Sequence, residues 1–381
     1  MKNIENKRIA IVGGGPGGLT LARLLQLKGA NVKVYERDVN SAVRVQGATL
    51  DLHEESGLKA LQEAGLMDAF LANYRPGADY TRITDYHGNI LLDDEAKNDE
   101  ALLRPEIDRG PLRSMLIDSL KEGTIVWDSH FISMAEEDGV WKLQFKNGST
   151  AIADLVIAAD GANSKIRPLV TTLKPFYAGV TVIEGSVMQA EAVAPKVNQL
   201  LNGGKIFAFG DEKSLIVSSK GDGSIAFYIG FKKEENWHRD NGIDFSNKEE
   251  VLSWFKENFS SWDDMWLKLF ENAYAFTLRP QYCMPLDQNW KPQTNLTLLG
   301  DAAHLMPPYA GEGVNMAMLD ALELSICLTD DSFENLQSAI GYYEKQMNIR
   351  FAEIGQITLD QTEMLHSPNA IANMMQIMGG D

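Results

Sequence analysis

Of the 381 residues only Cys283 and Cys327 are cysteines, far apart and in no C-x-x-C or metal-ligand spacing. That excludes a disulfide scaffold and a cysteine-based metal site, and it points to a reducing compartment. Basic residues are also few, 35 Lys and Arg against 53 acids, which leaves a net charge of −18. Nucleic acid and anionic membrane both need a basic patch, so both are disfavoured as partners. No apolar run approaches the ~20 residues that cross a bilayer. The charged start, Met1 to Arg8, runs straight into an apolar strand and fits no signal or transit sequence, so a cytoplasmic location is expected. Repeats and low-complexity stretches are lacking too. The length exceeds one ordinary core, so two domains or one elaborated domain is expected.

What is present begins with Ile9 to Val12, an apolar run that reads as a buried strand. Gly13, Gly15 and Gly18 follow at G-x-G-x-x-G spacing, with Pro16 between, and then a helical apolar period through Leu25 that Gly29 closes. A second strand, Val32 to Tyr35, ends in Glu36. Gly13 permits the turn, Gly15 lets a pyrophosphate approach the backbone, and Gly18 lets helix and strand pack closely. The free N–H groups of the helix start suit a pyrophosphate, and Glu36 suits ribose hydroxyls. Strand, glycine loop, helix, second strand and acid in that order predict a dinucleotide site.

The remaining chain predicts a mixed α/β architecture. A helical stretch is expected over Ser56 to Tyr74, and helical periodicity over Ile107 to Leu120 puts Arg109 and Arg113 on one face. Thr124 to Trp127, Phe131 to Ala135 and Val140 to Phe145 read as an antiparallel excursion, with Asn147-Gly148 as a hairpin signal leading to Ser149–Ala153. Leu155 to Ala159 is apolar throughout and is expected to rejoin a central parallel sheet. From about residue 171 the pattern is largely β, a sheet-based cover over a pocket. Asp331-Ser-Phe-Glu334 reads as a capping box opening a long helix to about His366.

Two further stretches carry chemistry. In Asp154–Arg167 and in Gly300–Asn315 a buried strand ends in an Asp beside a Gly: Asp160-Gly161 and Gly300-Asp301. Either Asp can instead be a structural cap. With the first glycine motif, these stretches resemble class A flavoprotein monooxygenases of the para-hydroxybenzoate hydroxylase type, over essentially the whole chain. The resemblance implies a Rossmann-like FAD-binding domain (1–74, 101–170 and 279–330), a mostly β substrate-binding domain (75–100 and 171–278) and a long C-terminal bridging helix (331–381). It implies that Gly13, Gly15, Pro16 and Gly18 hold the FAD pyrophosphate and that Glu36 and Arg37 lie at the adenosine. Asp160 is associated with FAD and NAD(P)H, Asp301 with the ribityl chain, and the loop Pro308, Gly311, Gly313, Val314, Asn315 with the isoalloxazine. A helix beginning near Gly313 would point its positive end at the flavin N1/C2 edge. Many members have Gln between the two glycines, where this chain has Glu312.

Closer matching is to the tetracycline-inactivating monooxygenases, on Glu36-Arg37, Arg44, Gly47–His53, Glu106–Arg109 and Gly300–Pro308. By that similarity Asp51 and Arg109 contact FAD and Arg44 is the candidate for the NADPH phosphate. The ordinary alternatives are a solvated helix face for Arg109 and Arg113, and a packed or capping histidine for His304. On the substrate side, Glu184 and Lys205 stand where those enzymes use Gln and Arg, and Phe207 and Phe227 are further candidates. Lys in place of Arg replaces a planar fork by a point charge, which leaves the substrate open. The activity implied is hydroxylation, with NADPH and O₂, of an electron-rich phenol or enol through a flavin C4a-hydroperoxide, with a tetracycline as the leading substrate. No catalytic residue or triad is expected, because the flavin carries the chemistry. A lone G-x-G-x-x-G implies that NADPH binds transiently, without its own domain, and a monomer is expected. The rivals are the same chemistry on another phenolic or polyketide substrate, a non-catalytic drug-binding flavoprotein, and a dehydrogenase or oxidase. A flavin halogenase needs a W-x-W-x-I-P stretch that Trp262 and Trp266 do not supply.

Overall fold

A computed structural model describes residues 2–43, 47–94 and 104–378. At its centre lies a five-stranded sheet in the order Leu296–Leu298, Leu155–Ala158, Arg8–Val12, Asn31–Tyr35, Ile125–Val126. All of its pairings are parallel. Leu155–Ala158 is buried along its whole length, as its unbroken apolar run requires of a strand covered on both faces. Ile125–Val126 belongs to this sheet and not to the antiparallel excursion. Its short run carries no alternation to assign it a side, and backbone bonds decide: Val34 N donates to Thr124 O and Glu36 N to Val126 O. The excursion proper is a three-stranded sheet of Phe131–Glu137, Val140–Phe145 and Thr150–Ala153.

The first helix, Pro16–Leu27, opens on a proline whose fixed φ suits that position. Two glycines before and within it are demanded by packing. A Cβ on Gly13 would lie 2.1 Å from Ala159 O, and one on Gly18 would lie 2.2 Å from Gly13 O. The expected helix over Ser56–Tyr74 instead runs from Glu54 through Glu63, a π turn followed by an α turn, and breaks before Met67–Leu71. Gly65 at φ +68° makes the break, a conformation that no helix interior accommodates.

A second sheet of seven strands runs in the order Ala273–Cys283, Phe176–Val187, Ile225–Lys232, Lys213–Ser219, Lys205–Gly210, Thr81–Asp85, Ile90–Asp94. One of its faces carries Ile183, Leu215, Val217, Phe227, Ile229 and Phe231 into an aromatic core. The helices Lys248–Asn258 and Asp264–Asn272 close that core with Trp254, Phe255, Trp266 and Phe270. The opposite face carries Lys205, Phe207, Tyr228 and Glu184.

The C-terminal segment is two helices, Leu336–Leu365 and Ala370–Ile377, not one. Pro368 lies between them and disfavours helical geometry in the residue before it. The capping box also lies elsewhere than the sequence suggests. Asn335 Oδ1 accepts from Ser338 N at 2.9 Å, and Ser338 Oγ accepts from Asn335 N at 3.2 Å. Asp331 accepts from Lys2 N at 2.7 Å and so fastens the amino-terminal segment. Among the described residues no helix is long and apolar enough to cross a membrane, and no group of His, Cys, Asp and Glu could hold a metal ion.

The long helix buries Glu344 behind the central sheet, where its Oε1 accepts from Thr297 Oγ1 at 2.8 Å. Burial outweighs that bond and pushes the carboxyl up to about 7. A carboxyl raised in the folded state stabilises below its unfolded value, and that contribution is lost as pH rises through 7. Melting temperature should therefore fall between pH 5 and 8. Glu344→Gln should remove much of the fall and gain about 2 kcal/mol at pH 8. Parallel pH profiles for both proteins would show a mistake in this assignment.

Candidate functional site

The carboxyl ends of the parallel strands collect the sequence-predicted residues at one edge. Gly13 follows Arg8–Val12, Glu36 follows Asn31–Tyr35, Asp160 follows Leu155–Ala158, and Asp301 follows Leu296–Leu298. Glu36 is buried, and its carboxylate accepts from Gly14 N at 2.6 Å and from Asp38 N at 3.0 Å. It thereby ties the glycine loop to the second strand. Arg37, the next residue, is exposed. Asp160 Oδ2 accepts from Lys165 N at 2.9 Å, while its buried Oδ1 has no hydrogen-bond partner among the described residues. Burial raises the Asp160 carboxyl above its usual range. Asp301 is exposed at this edge, and the protein around it raises its carboxyl as well.

Two glycines at this edge have no reason inside the protein to be glycine. Gly15 has φ −80°, and among the described residues a Cβ there would meet no atom within 4 Å. The same space surrounds Gly313, the first residue of the helix Gly313–Thr329. Both therefore leave room for something outside the chain, at two helix starts whose N–H groups lack intrahelical partners. The two helices pack on each other closely enough that a Cβ on Gly17 would lie 2.8 Å from Ala317 O. Free donors at both helix starts, with the exposed Asp301 at the same strand-end edge, fit a bound dinucleotide.

The loop before Gly313 is shaped by a short 3₁₀ turn, Pro308–Ala310, and by Gly311 at φ +74°. Val314 begins the helix beside Gly313. Asn315 is fully buried, with Oδ1 accepting from His53 N at 2.9 Å and Nδ2 donating to Asp51 O at 3.0 Å. Its side chain is engaged with the protein, so its part in the site is to hold the 51–53 segment against the helix. Asp51 Oδ2 accepts from Arg104 Nε at 3.0 Å. His53 lies between Asp51 and Glu312, and these carboxylates outweigh its burial to hold the imidazole up at about 9. Arg109 donates to Ala48 O at 3.1 Å and stands beside Gly47. Its neighbour on the same helix, Arg113, is buried and paired with Asp38.

His304 is a packed histidine, as the ordinary reading has it. Its Nε2 is 2.6 Å from Asp320 Oδ2, and its ring stacks on Phe351. Asp320 was invisible from sequence. It sits mid-helix among apolar residues, and only its burial against His304, Arg350 and Gly300 N gives it a role.

On the seven-stranded sheet, Glu184 accepts from Arg279 Nε, and Lys205 is paired with the buried Glu106. Phe207 is partly buried and packs with Ile83, Phe209 and Tyr309. Phe227 is corrected: it points into the aromatic core, ringed by Phe270 and Phe276. The pleat places its neighbour Tyr228 on the site face instead. Tyr228 is paired in register with Glu184 and accepts from Ala48 N at 2.9 Å. Counting the strand in steps of two from Lys232 would have found it. Arg44 lies outside the described residues.

The family model described as FAD binding domain matches residues 6–331. The chain is 30% identical over 370 residues to monooxygenase asqM of Emericella nidulans, covering 84% of this chain and 83% of that one. It is 28% identical over 369 residues to a 6-hydroxynicotinate 3-monooxygenase of Pseudomonas fluorescens, covering 94% and 92%. The crystal structure of tetracycline destructase Tet(55) superposes with a TM-score of 0.75 over 97% of this chain and 94% of that one, at 20% identity, a likeness of fold.

Gly15→Ala and Gly313→Ala should leave the melting temperature of the flavin-free protein unchanged or slightly higher, since no neighbour is displaced. Each should weaken FAD binding at least tenfold in a fluorescence titration. Gly18→Ala should instead destabilise the protein itself. Unaltered FAD affinity in both of the first two variants would remove the helix starts from the site.

Proposed function

The chain belongs to the FAD-binding-domain family, and we propose that it uses NADPH and O₂ to hydroxylate an electron-rich aromatic or enolic small molecule. Its monooxygenase relatives make it an oxidoreductase of the flavoprotein monooxygenase kind. One observation carries the site: glycines that packing does not require open two helix starts at the edge where Glu36, Asp160 and Asp301 gather.

Bound FAD supplies the oxygen activation and transfer; the protein binds, orients and excludes water. In this reading the start of Pro16–Leu27, with Gly13, Gly15 and Gly18, holds the pyrophosphate. Glu36 and Arg37 flank the adenosine, Asp301 the ribityl chain, and Asp51 and Arg109 the middle of the cofactor. Asp160 lies nearby. The turn from Pro308 to Val314 and the start of Gly313–Thr329 face the isoalloxazine, with donors directed at its pyrimidine edge. Arg44 is the candidate for the NADPH phosphate. Residues 1–74, 101–170 and 279–330 then form the cofactor unit, and 75–100 and 171–278 the substrate unit. The strand Ala273–Cys283 joins the two without a break. A monomer in the cytoplasm remains the expected state.

Substrate would lie between the isoalloxazine and the sheet face bearing Phe207, Tyr228, Glu184 and Arg279. Phe207 offers an apolar wall, while the Tyr228 hydroxyl and the Arg279 guanidinium suit a phenol or enol oxygen. The tetracycline reading rests on the shared motifs and on the likeness of fold. Its two polar positions are held by partners here, Glu184 by Arg279 and Lys205 by Glu106. That pairing favours a smaller hydroxylated aromatic acid, the kind of substrate named for the Pseudomonas relative.

FAD-loaded protein should be incubated with NADPH and ¹⁸O₂ and, separately, 6-hydroxynicotinate and a tetracycline, with products read by mass spectrometry. One labelled oxygen in a product, dependent on NADPH, is expected with at least one of them. NADPH consumption with both compounds unchanged would sink both substrates and keep the flavin chemistry. Stoichiometric binding without NADPH consumption would favour a drug-binding flavoprotein.

A further inference from the structure

His53 stands between two carboxylates. Its Nδ1 is 3.2 Å from Glu312 Oε1, and its Nε2 is 3.1 Å from Asp51 Oδ2. A neutral imidazole has one N–H and one lone pair, and a lone pair facing a carboxylate repels it. Both contacts are attractive only when both nitrogens carry protons, so the geometry specifies the imidazolium. The raised pKa agrees, although Arg104, the other cation on Asp51, opposes it.

This cluster is fixed in place. Asn315, in the first turn of the helix Gly313–Thr329, holds the backbone of both Asp51 and His53. The side chains are only 16% (His53), 19% (Asp51) and 22% (Glu312) exposed, so solvent screens them incompletely. Charges balance within the cluster: Asp51 and Glu312 against His53 and Arg104. Lys205, which also acts on Asp51, is separately paired with Glu106.

Glu312 is the residue immediately before the helix start, where a negative charge is favoured by the dipole but opposes any second negative charge brought there. Reduction of a flavin brings such a charge to its pyrimidine edge. A bare carboxylate at Glu312 would therefore hold the cofactor oxidised, and the chain turns that carboxylate onto His53.

We propose that His53 is the counter-ion of Glu312, a positioning residue that cancels its charge at the start of Gly313–Thr329 and so sets the reduction potential of the flavin. The inference rests on the cofactor placement proposed above.

The test measures the midpoint potential of FAD-loaded wild type, His53→Gln, Glu312→Gln and the double variant by spectroelectrochemistry. FAD affinity and melting temperature are recorded alongside. His53→Gln should lower the reduced-to-oxidised ratio at fixed poise about tenfold, ~30 mV for a two-electron couple. Glu312→Gln should shift it the opposite way, and the double variant should return near wild type. A merely structural role would move melting but would not produce shifts of opposite sign. Equal potentials throughout, or both single variants moving in the same direction, would overturn the proposal. Should His53→Gln fail to fold, Glu312→Gln decides alone: an unchanged potential overturns the inference. Wild type that binds no FAD would overturn the cofactor placement, whereas bound FAD with an unmoved potential overturns the counter-ion only.

Discussion

The buried carboxylate of Asp320 holds the site together. Oδ2 accepts from Gly300 N at 2.8 Å and meets His304 Nε2 at 2.6 Å, while Oδ1 accepts from Arg350 at 2.7 Å. Burial alone would push such a carboxyl up, yet His304 and Arg350 hold it below its usual range. A charge in that setting is tolerable only with all its partners in place, because an unpaired buried ion costs several kcal/mol. The three partners come from the strand end that carries Gly300-Asp301, from the short helix after it, and from the long C-terminal helix. One carboxylate thus sets the path of the Gly300-Asp301 turn, at φ +59°, and secures the helix whose start faces the cleft.

The seven-stranded sheet is tied to the segments around residues 48, 75 and 106 by contacts within the protein. Ala48 N donates to the Tyr228 hydroxyl, Lys205 pairs with Glu106, and Arg75 donates to Ser219 O at 2.7 Å. A fourth tie joins the loop at Pro308 to the sheet and the long helix. His366 Nδ1 donates to Thr362 O at 2.7 Å, which leaves Nε2 as the acceptor facing the Ser214 and Tyr309 hydroxyls. Burial keeps that imidazole neutral, with its pKa pushed down to about 4. Gly230 gives these groups room, since a Cβ there would lie 2.5 Å from both His366 Nε2 and the Tyr309 hydroxyl. A cleft whose polar groups are already paired gains most from a ligand that adds a hydrogen bond without displacing one.

His53 and Glu312 show how a charge at odds with its place is accommodated. The glutamate between the two glycines conflicts with a site that gathers negative charge, and the conflict disappears once its neighbour through space is known. That neighbour lies far away in the sequence, on a segment held by Asn315.

The strand-end edge was largely legible from sequence because its requirements are local. A strand, a glycine turn and a helix start are consecutive residues, and a close approach of backbone to phosphate can be met only by glycine. The unbroken apolar run of Leu155–Ala158 likewise announced a strand buried on both faces. Where the reading failed, the deciding partner was distant or the pattern ambiguous by one residue. Phe227 and Tyr228 are both aromatic, and a shift of one along a strand exchanges the core face for the site face. Asp331 looked like a helix cap, yet the amino-terminal segment took it and left capping to Asn335. The sequence by itself therefore determined the strand-end edge, its glycines and its acids. Only the tertiary structure decided which side chains share a sheet face and which charges are paired, because those properties belong to pairs of residues brought together by folding.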